Sequence, residues 1–393
     1  MNIIAITIGS YPIGEATTNR NISILKGLTE LGNNVELLVL SPTNKIISGN
    51  RKPSGIVNGV RFQYTSRTVE WNQNILYKIS IMLRSIYKAL KIISIRNKTL
   101  KIDALILLLS EPLLMHPFIS LSRRNNIKVF HEQTEAPEIV FPISGLISKL
   151  RLAYYKFLMK RLDGIYVITS YLKNYFSSFI DESKICIINM TVDHTRFNTN
   201  MKSPFKFKYI AYCGTMYSNK DGLIDLISAF SYIANKTNLK LVLIGDLLDN
   251  RSKYVIDLVN EMKLNNQIIL TGSIENTYIP KYLMNAEMLV LARPDNIQAK
   301  GGFPTKLGEY LLTLKPSIVT EVGDIPNFLS DCVNAFIVKP GNPFLFAQKI
   351  LYVIDNYEFA LEVAKTGRDV AQKYFNYVTE SKKLQLFLRN FIK

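Results

Sequence analysis

A lone carboxylate, two lysines and a glycine-bearing loop carry the densest chemical signal in the sequence. Gly301-Gly302-Phe303-Pro304-Thr305-Lys306 runs into a stretch of helical spacing ending near Leu314, with Leu307, Tyr310 and Leu311 on one face. Glycine lets a backbone approach a ligand without side-chain clash, and a helix start offers unbonded N–H groups and the positive end of the helix dipole. A phosphate or another anion is the natural ligand of that combination. Glu309 interrupts the apolar pattern in the second turn, so its carboxylate needs a partner. Lys220, in the glycine-bounded loop Cys213 to Gly222 before another helix start, reads as a second phosphate contact or as an exposed lysine. His131, Glu132 and Glu135 follow the apolar run Lys128-Val129-Phe130. Ligand sites of parallel α/β sheets form at such strand ends, so these three read as substrate or acid–base groups, or else as loop caps.

These groups need a scaffold, and the chain spells one. Residues 3–8 are a β-branched run, Gly9 to Ala16 a loop containing Gly14, and Thr17 to Leu31 a helix closed by Gly32-Asn33. Val35 to Leu40 is the next strand. A βαβ unit of this kind implies a parallel sheet and an α/β fold. Gly9 and Gly14 do not match GxGxxG. Further strand runs occur at 104–109, 128–130, 166–170 and 185–189, then at 207–212, 241–246, 268–272, 288–292 and 317–320. Helical stretches occupy 223–234, 344–357, 358–374 and 378–392. The polar stretch from Asn198 to Pro204 separates two such series. The expected division is 1–200, 201–375 and a C-terminal helix, 376–393, packing back on the first domain.

Composition bounds the function. The 393 residues are 48% hydrophobic and 20% charged, enough for two cores. No run approaches the length of a membrane span, and Met1 to Ile6 has no leader pattern, so a cytoplasmic protein is expected. Cys186, Cys213 and Cys332 lack the spacing of a disulfide framework or a zinc site, and no metal or other cofactor is expected. The net charge is +17. Between Glu70 and Asp103 there is no acidic residue, while Lys78, Arg84, Lys88, Lys91, Arg96, Lys98 and Lys101 punctuate a helical pattern. Leu76, Ile79, Leu83, Ile86, Leu90 and Ile93 form its apolar stripe. A basic amphipathic helix over 71–101 suits an anionic membrane surface or a solvated helix packed on its own sheet. Nucleic acid is not expected as a partner, because no nucleic-acid motif accompanies the charge.

Taken in order, "VITS" at 167–170, "IINMTVDHTRF" at 187–197, "GTMYSNKDG" at 214–222, Leu243-Ile244-Gly245 and "GGFPTKLGEYLLTLKPSIVTEVGDI" at 301–325 resemble the retaining glycosyltransferases of family 4. The resemblance covers nearly the whole chain. It implies the GT-B fold, two Rossmann-like parallel-sheet domains facing across a cleft, and transfer of a sugar from a nucleotide-sugar donor with retention. The acceptor it suggests is a glycan or lipid-linked glycan of capsule, O-antigen, lipopolysaccharide or exopolysaccharide assembly. The expected setting is bacterial, at the inner face of the plasma membrane. A nucleotide-sugar epimerase, and a non-catalytic binder of nucleotide sugar or of nucleic acid, are the alternatives.

Residue by residue, the resemblance implies that Glu309 binds the nucleotide ribose. Lys220 would hold the diphosphate with N–H groups of Phe303, Thr305 and Lys306 beside Pro304, and Thr215 stands where the family has an arginine. His131 is implied near the reacting sugar carbon as a catalytic group with Lys220, Gly14 approaches the same place, and Glu132 and Glu135 are acceptor or sugar contacts. Gly301, beside Gly302, stands where the family carries its first glutamate. Asp295 and Lys300 are the neighbours that would substitute for it.

Overall fold

The computed structural model describes residues 1–14, 16–43, 52–71, 74–141, 145–197, 201–216, 219–247 and 250–392. The chain divides into two compact units. Unit 1 is Met1–Thr191 with Tyr377–Lys393, and unit 2 is Val192–Asn376. The division falls upstream of the expected 200/201, and the polar residues 198–200 lie outside the described part.

In unit 1, strands β1 (Asn2–Thr7), β2 (Asn34–Val39), β3 (Ser54–Val57), β4 (Val60–Tyr64), β5 (Ala104–Leu108), β6 (Lys128–Gln133), β7 (Gly164–Val167) and β8 (Ile185–Ile187) form one sheet. Its order is β3-β4-β2-β1-β5-β6-β7-β8. Among the described residues every pairing but β3–β4 is parallel, and Ala5 of β1 lies between Leu37 and Ile106. Strands buried on both faces read as continuous apolar runs, which is why β1, β2 and β5 were legible. The β3–β4 hairpin was not expected, although Asn58-Gly59 announces it. Both residues take positive φ, 52° and 77°, as a tight two-residue turn requires.

The helices of unit 1 are α1 (Ala16–Glu30), α2 (Ile75–Thr99), α3 (Pro112–Arg124), α4 (Pro137–Val140), α5 (Leu146–Met159) and α6 (Ser170–Ser177). Right-handed crossovers put α2, α3 and α5 on one face of the sheet, where α2 touches α3 and α3 touches α5. The phase of α2 differs from the expected stripe. Its buried residues are Ile81, Ser85, Ala89 and Ile93. Ser85 and Ala89 are small, so the helix axis comes close to the sheet, and Ser85 Oγ donates to the Leu40 carbonyl at 2.5 Å. Of the predicted face only Ile93 is fully buried, while Leu76, Ile79 and Leu83 are exposed.

In unit 2, β9 (Tyr209–Cys213), β10 (Lys240–Ile244), β11 (Ile268–Leu270), β12 (Met288–Leu291), β13 (Ser317–Thr320) and β14 (Phe336–Val338) form a parallel sheet of order β11-β10-β9-β12-β13-β14. Helices α7 (Leu223–Ser231), α8 (Lys253–Glu261), α9 (Ile279–Met284), α10 (Ile297–Gly301), α11 (Thr305–Leu312), α12 (Pro343–Asp355) and α13 (Tyr357–Tyr374) connect and cover it. The winding reverses between β9 and β12. Parallel sheets bind ligands outside the carboxyl ends of the strands at such a switch point.

Helix α14 (Tyr377–Arg389) belongs to unit 1 and packs on α1. A Cβ on Gly27 would meet Ser381 Oγ at 2.3 Å, so glycine is what permits the contact. Leu384 and Leu388 of α14 lie in the same core as Leu25, Leu28 and Phe130. No helix among the described residues is long and apolar enough to cross a membrane.

Candidate functional site

The switch point of unit 2 holds a cluster of charge. Asp221 follows β9 on the one-turn helix Asn219–Asp221, and Arg293 follows β12. Lys306 opens α11. Lys306 Nζ is bonded to Asp221 and lies 3.3 Å from the Tyr212 hydroxyl, which itself donates to Asp221 at 2.9 Å. Arg293 is 1% exposed; its Nε stands 3.7 Å from Asp221 and its Nη1 donates to the Gly302 carbonyl at 3.3 Å. Two cations thus converge on one buried carboxylate. Burial alone would push the Asp221 carboxyl up, but Lys306, Arg293 and the hydrogen bonds from Lys306 and Tyr212 outweigh it and hold it down to about 2.

Glycines make this convergence possible. A Cβ on Gly214 would sit 2.1 Å from Lys306 Nζ, one on Gly222 1.8 Å from the Ala292 carbonyl, and one on Gly245 2.0 Å from the Gly214 carbonyl. The glycines of the 214–222 loop and Gly245 therefore serve loop-to-loop packing here. Lys220 is half-buried beside Asp221, and the Thr215 carbonyl lies 3.1 Å from the Tyr212 hydroxyl. Tyr217 and Ser218 of the same motif lie outside the described residues.

The carboxylate predicted to need a partner has one. Arg196 Nη1 donates to Glu309 Oε1 at 2.6 Å, and its Nη2 reaches the Asn276 carbonyl at 2.8 Å and Oδ1 at 2.9 Å. The pair is partly open, with side chains 26% and 19% exposed. The loop before α11 is divided in its roles. Gly301 closes α10, and the ring of Phe303 packs into the core against Phe328 and Phe375. Pro304 precedes α11 without a side-chain cap, so Thr305 and Lys306 present first-turn N–H groups. Asp295 and Lys300 pair with each other at 3.1 Å on the surface.

In unit 1 the strand-end residues part company. Glu132 is 6% exposed and is bonded to Arg20 Nε at 2.8 Å; Arg20 Nη1 and Nη2 donate to the Asn189 and Ile188 carbonyls at 2.6 and 2.9 Å. Arg20 and Glu132 are thereby committed to tying α1 to β6 and to the segment after β8. Glu132, expected as a sugar or acceptor contact, is held by a buried arginine of α1 that the sequence spacing did not reveal. His131 is enclosed. Its Nδ1 lies 2.9 Å from the Leu107 carbonyl and its Nε2 3.0 and 3.1 Å from Gln133 Oε1 and the Tyr155 hydroxyl. Burial lowers its pKa to about 4, against which the bonds to Leu107 and Gln133 act weakly. It therefore stands neutral, while the Tyr155 hydroxyl donates to Gln133 Oε1 at 2.8 Å. Glu135 is half-buried, and its carbonyl accepts from Gln133 Nε2 at 2.6 Å. Gly14 lies against α1, where a Cβ would meet Thr18 Oγ1 at 2.2 Å.

Acid sensitivity follows from these two groups. His131 has a folded pKa below its unfolded value near 6.5, so the unfolded chain takes up a proton first as pH falls. Unit 1 should lose roughly 3 kcal/mol of stability between about pH 6.5 and 4. Asp221, also depressed, removes a further increment from unit 2 only below its usual value of 3.8. Urea midpoints across this range should slope downward from pH 6.5, and His131→Gln should flatten the upper part alone.

Arg196, Arg293 and Asp221 were not singled out in the sequence. Arg196 sits inside the quoted "IINMTVDHTRF", and Asp221 adjoins Lys220, so both had a motif as signal. Arg293 had only its position after an apolar strand.

Residues 207–356 match the family model described as "Glycosyl transferases group 1". An "Uncharacterized glycosyltransferase MJ1178" of Methanocaldococcus jannaschii is 23% identical over 223 residues, which are 56% of this chain and 58% of that one. Among solved structures, sucrose-phosphate synthase from Thermosynechococcus elongatus superposes with a TM-score of 0.76 at 14% identity over 99% of this chain and 98% of that one. Anabaena HepE in complex with UDP-glucose superposes with a TM-score of 0.75 at 14% identity over 99% and 100%. A glycosyltransferase from Rickettsia africae gives 0.73 at 17% identity over 99% and 98%. The fold is GT-B, with two parallel-sheet α/β domains.

Proposed function

We propose that the protein is a glycosyltransferase that moves a sugar from a nucleotide-sugar donor to an acceptor hydroxyl. The glycosidic C–O bond forms as the bond from the anomeric carbon to the diphosphate breaks, and the acceptor proton ends on the leaving phosphate. The observation that carries this reading is the meeting of Lys306, Arg293 and the uncapped start of α11 at the unit 2 switch point, within the residues that match the group 1 model. Those groups supply positive charge where a leaving diphosphate gathers negative charge, and fixed charge of this kind is the largest source of rate in such reactions. Lys306 uses two of its three donors on Asp221 and Tyr212, which leaves the third for a phosphate oxygen. Lys220, on the same loop, is the further phosphate contact.

Glu309 accepts from the ribose hydroxyls in this reading, with Arg196 holding one carboxylate oxygen and the other turned to the sugar. A uridine nucleotide is the donor we favour, because HepE, which shares the fold, has been solved with UDP-glucose. Retention of anomeric configuration and a lipid-linked glycan acceptor in surface-polysaccharide assembly follow from the family resemblance. Gly301, at the end of α10 where the family has a glutamate, leaves the sugar hydroxyls to other contacts.

The test is a thermal-shift panel of UDP, GDP, ADP and CMP sugars. At a hundredfold excess over Kd a bound nucleotide sugar adds about 2.7 kcal/mol, a shift of several degrees for a unit of this size. One nucleotide family should stabilise the protein. A flat response to all four overturns the reading.

A further inference from the structure

The charged cluster at the unit 2 switch point has donors to spare. Lys306 Nζ spends two of its three N–H groups on Asp221 and Tyr212. A further donor stands beside it on a different element. Tyr254 is the second residue of α8, the helix that follows β10. Its ring is half-buried, yet its hydroxyl is fully enclosed and has no hydrogen-bond partner. Nearly every buried polar group in a folded protein has one, so the Tyr254 hydroxyl calls for a partner from outside the chain.

The packing of two loops brings this hydroxyl to the cluster. β9 and β10 pair in parallel, Cys213 opposite Ile244, so the loops leaving them start side by side. The tight approach of Gly245 to the Gly214 carbonyl then seats the second loop on the first. Ser252 is fully buried, with Oγ 3.4 Å from the Asp246 carbonyl, which turns the start of α8 back towards the end of β10. Helix α8 also touches α7, and Asp221 immediately precedes Gly222, the cap of α7. Burial, and behind it the charge of Asp221, push the Tyr254 hydroxyl up to about 12. It keeps its proton at neutral pH and stands as a donor.

The chemistry of its surroundings identifies the missing acceptor. Asp221 is already taken, since its Oδ2 holds Lys306 and Tyr212 and its Oδ1 faces Arg293. Lys306 and Arg293 together carry one positive charge more than Asp221 offsets. A place with surplus positive charge and two unspent donors lacks an oxyanion, and a phosphate oxygen supplies both the charge and the lone pairs.

We propose that the Tyr254 hydroxyl donates to a diphosphate oxygen of the nucleotide-sugar donor, adding a contact from the start of α8 to those of Lys306 and the α11 start. This deepens the transfer reading and rests on it.

Tyr254→Phe removes the hydroxyl alone. Isothermal titration of the full-length protein with UDP and with inorganic pyrophosphate, which has no base or ribose, reads the effect. Both should bind about tenfold more weakly to the variant than to the wild type. The melting temperature without ligand should hold or rise, because no bond within the fold is lost. Equal UDP affinity in the two proteins overturns the proposal and leaves water as the partner of the hydroxyl. A loss for UDP without a loss for pyrophosphate also overturns it, by moving the contact to the nucleoside. So does a melting temperature lowered by several degrees, which would make the hydroxyl a bond of the fold. In each of these cases the wild type still binds nucleotide and the transfer reading stands. A wild type that binds neither pyrophosphate nor any nucleotide sugar of the thermal panel overturns both.

Discussion

Arg20→Met should lower the stability of unit 1 by about 3–5 kcal/mol, the cost of leaving a buried charge without its partner. The guanidinium spends all three of its nitrogens inside the fold, on Glu132, Asn189 and Ile188, and both side chains of the pair are less than 5% exposed. Methionine keeps much of the volume but strands Glu132 and two backbone carbonyls in an apolar setting. Glu132→Gln should cost less, since a neutral amide still accepts from Arg20. Arg20→Met with Glu132→Leu should recover much of the loss, as apolar replacement of a whole buried pair often does. Urea unfolding followed at Trp71, which lies in unit 1, reads this directly. A loss below about 1 kcal/mol for Arg20→Met would mean that water reaches the pair. Nucleotide binding in unit 2 should survive each change at temperatures where unit 1 is folded.

Glu309→Ala should act in the opposite way, sparing stability and removing ligand. A hydrogen bond to a charged group contributes about 1.5–3 kcal/mol, so the nucleotide should bind roughly ten- to hundredfold more weakly. The carboxylate is partly exposed, and its loss leaves Arg196 still bonded to Asn276. Arg196→Lys keeps the charge but cannot span Glu309 and the Asn276 loop together, because an ammonium lacks the planar fork. It should weaken binding less than Glu309→Ala does. Isothermal titration with the nucleotide found in the thermal panel gives both numbers. Unchanged affinity in Glu309→Ala would remove the ribose role from this residue.

The sequence made the scaffold readable because each strand of a doubly covered parallel sheet is a short apolar run bounded by loop residues, and such runs survive inspection residue by residue. The same rule failed at α2. The residues that touch the sheet include Ser85 and Ala89, whose small size is what lets the helix approach, and an apolar stripe search passes over them in favour of bulkier neighbours. Charged sites divided along a similar line. Glu309 stood out because its own helix is apolar, yet its partner lies 113 residues away in sequence and only the fold brings Arg196 to it. Glu132 had the position of a site residue and the environment of a structural one, a distinction set by Arg20 on a different element. His131 is a second such case, a titratable group within β6 whose ring the fold encloses entirely.

Unit 2 interrupts unit 1 along the chain, since α14 completes the core that α1 and β1 begin. On the ribosome, Val192–Asn376 therefore emerges whole and can finish folding while unit 1 still lacks Leu384, Phe387 and Leu388. The first half of unit 1 must wait with the α1 groove at Gly27 uncovered until residues 377–389 are made. A chain truncated after residue 376 would carry a complete unit 2 and, in unit 1, an open apolar seam, and that seam, rather than any loop of the site, is where a chaperone would be needed.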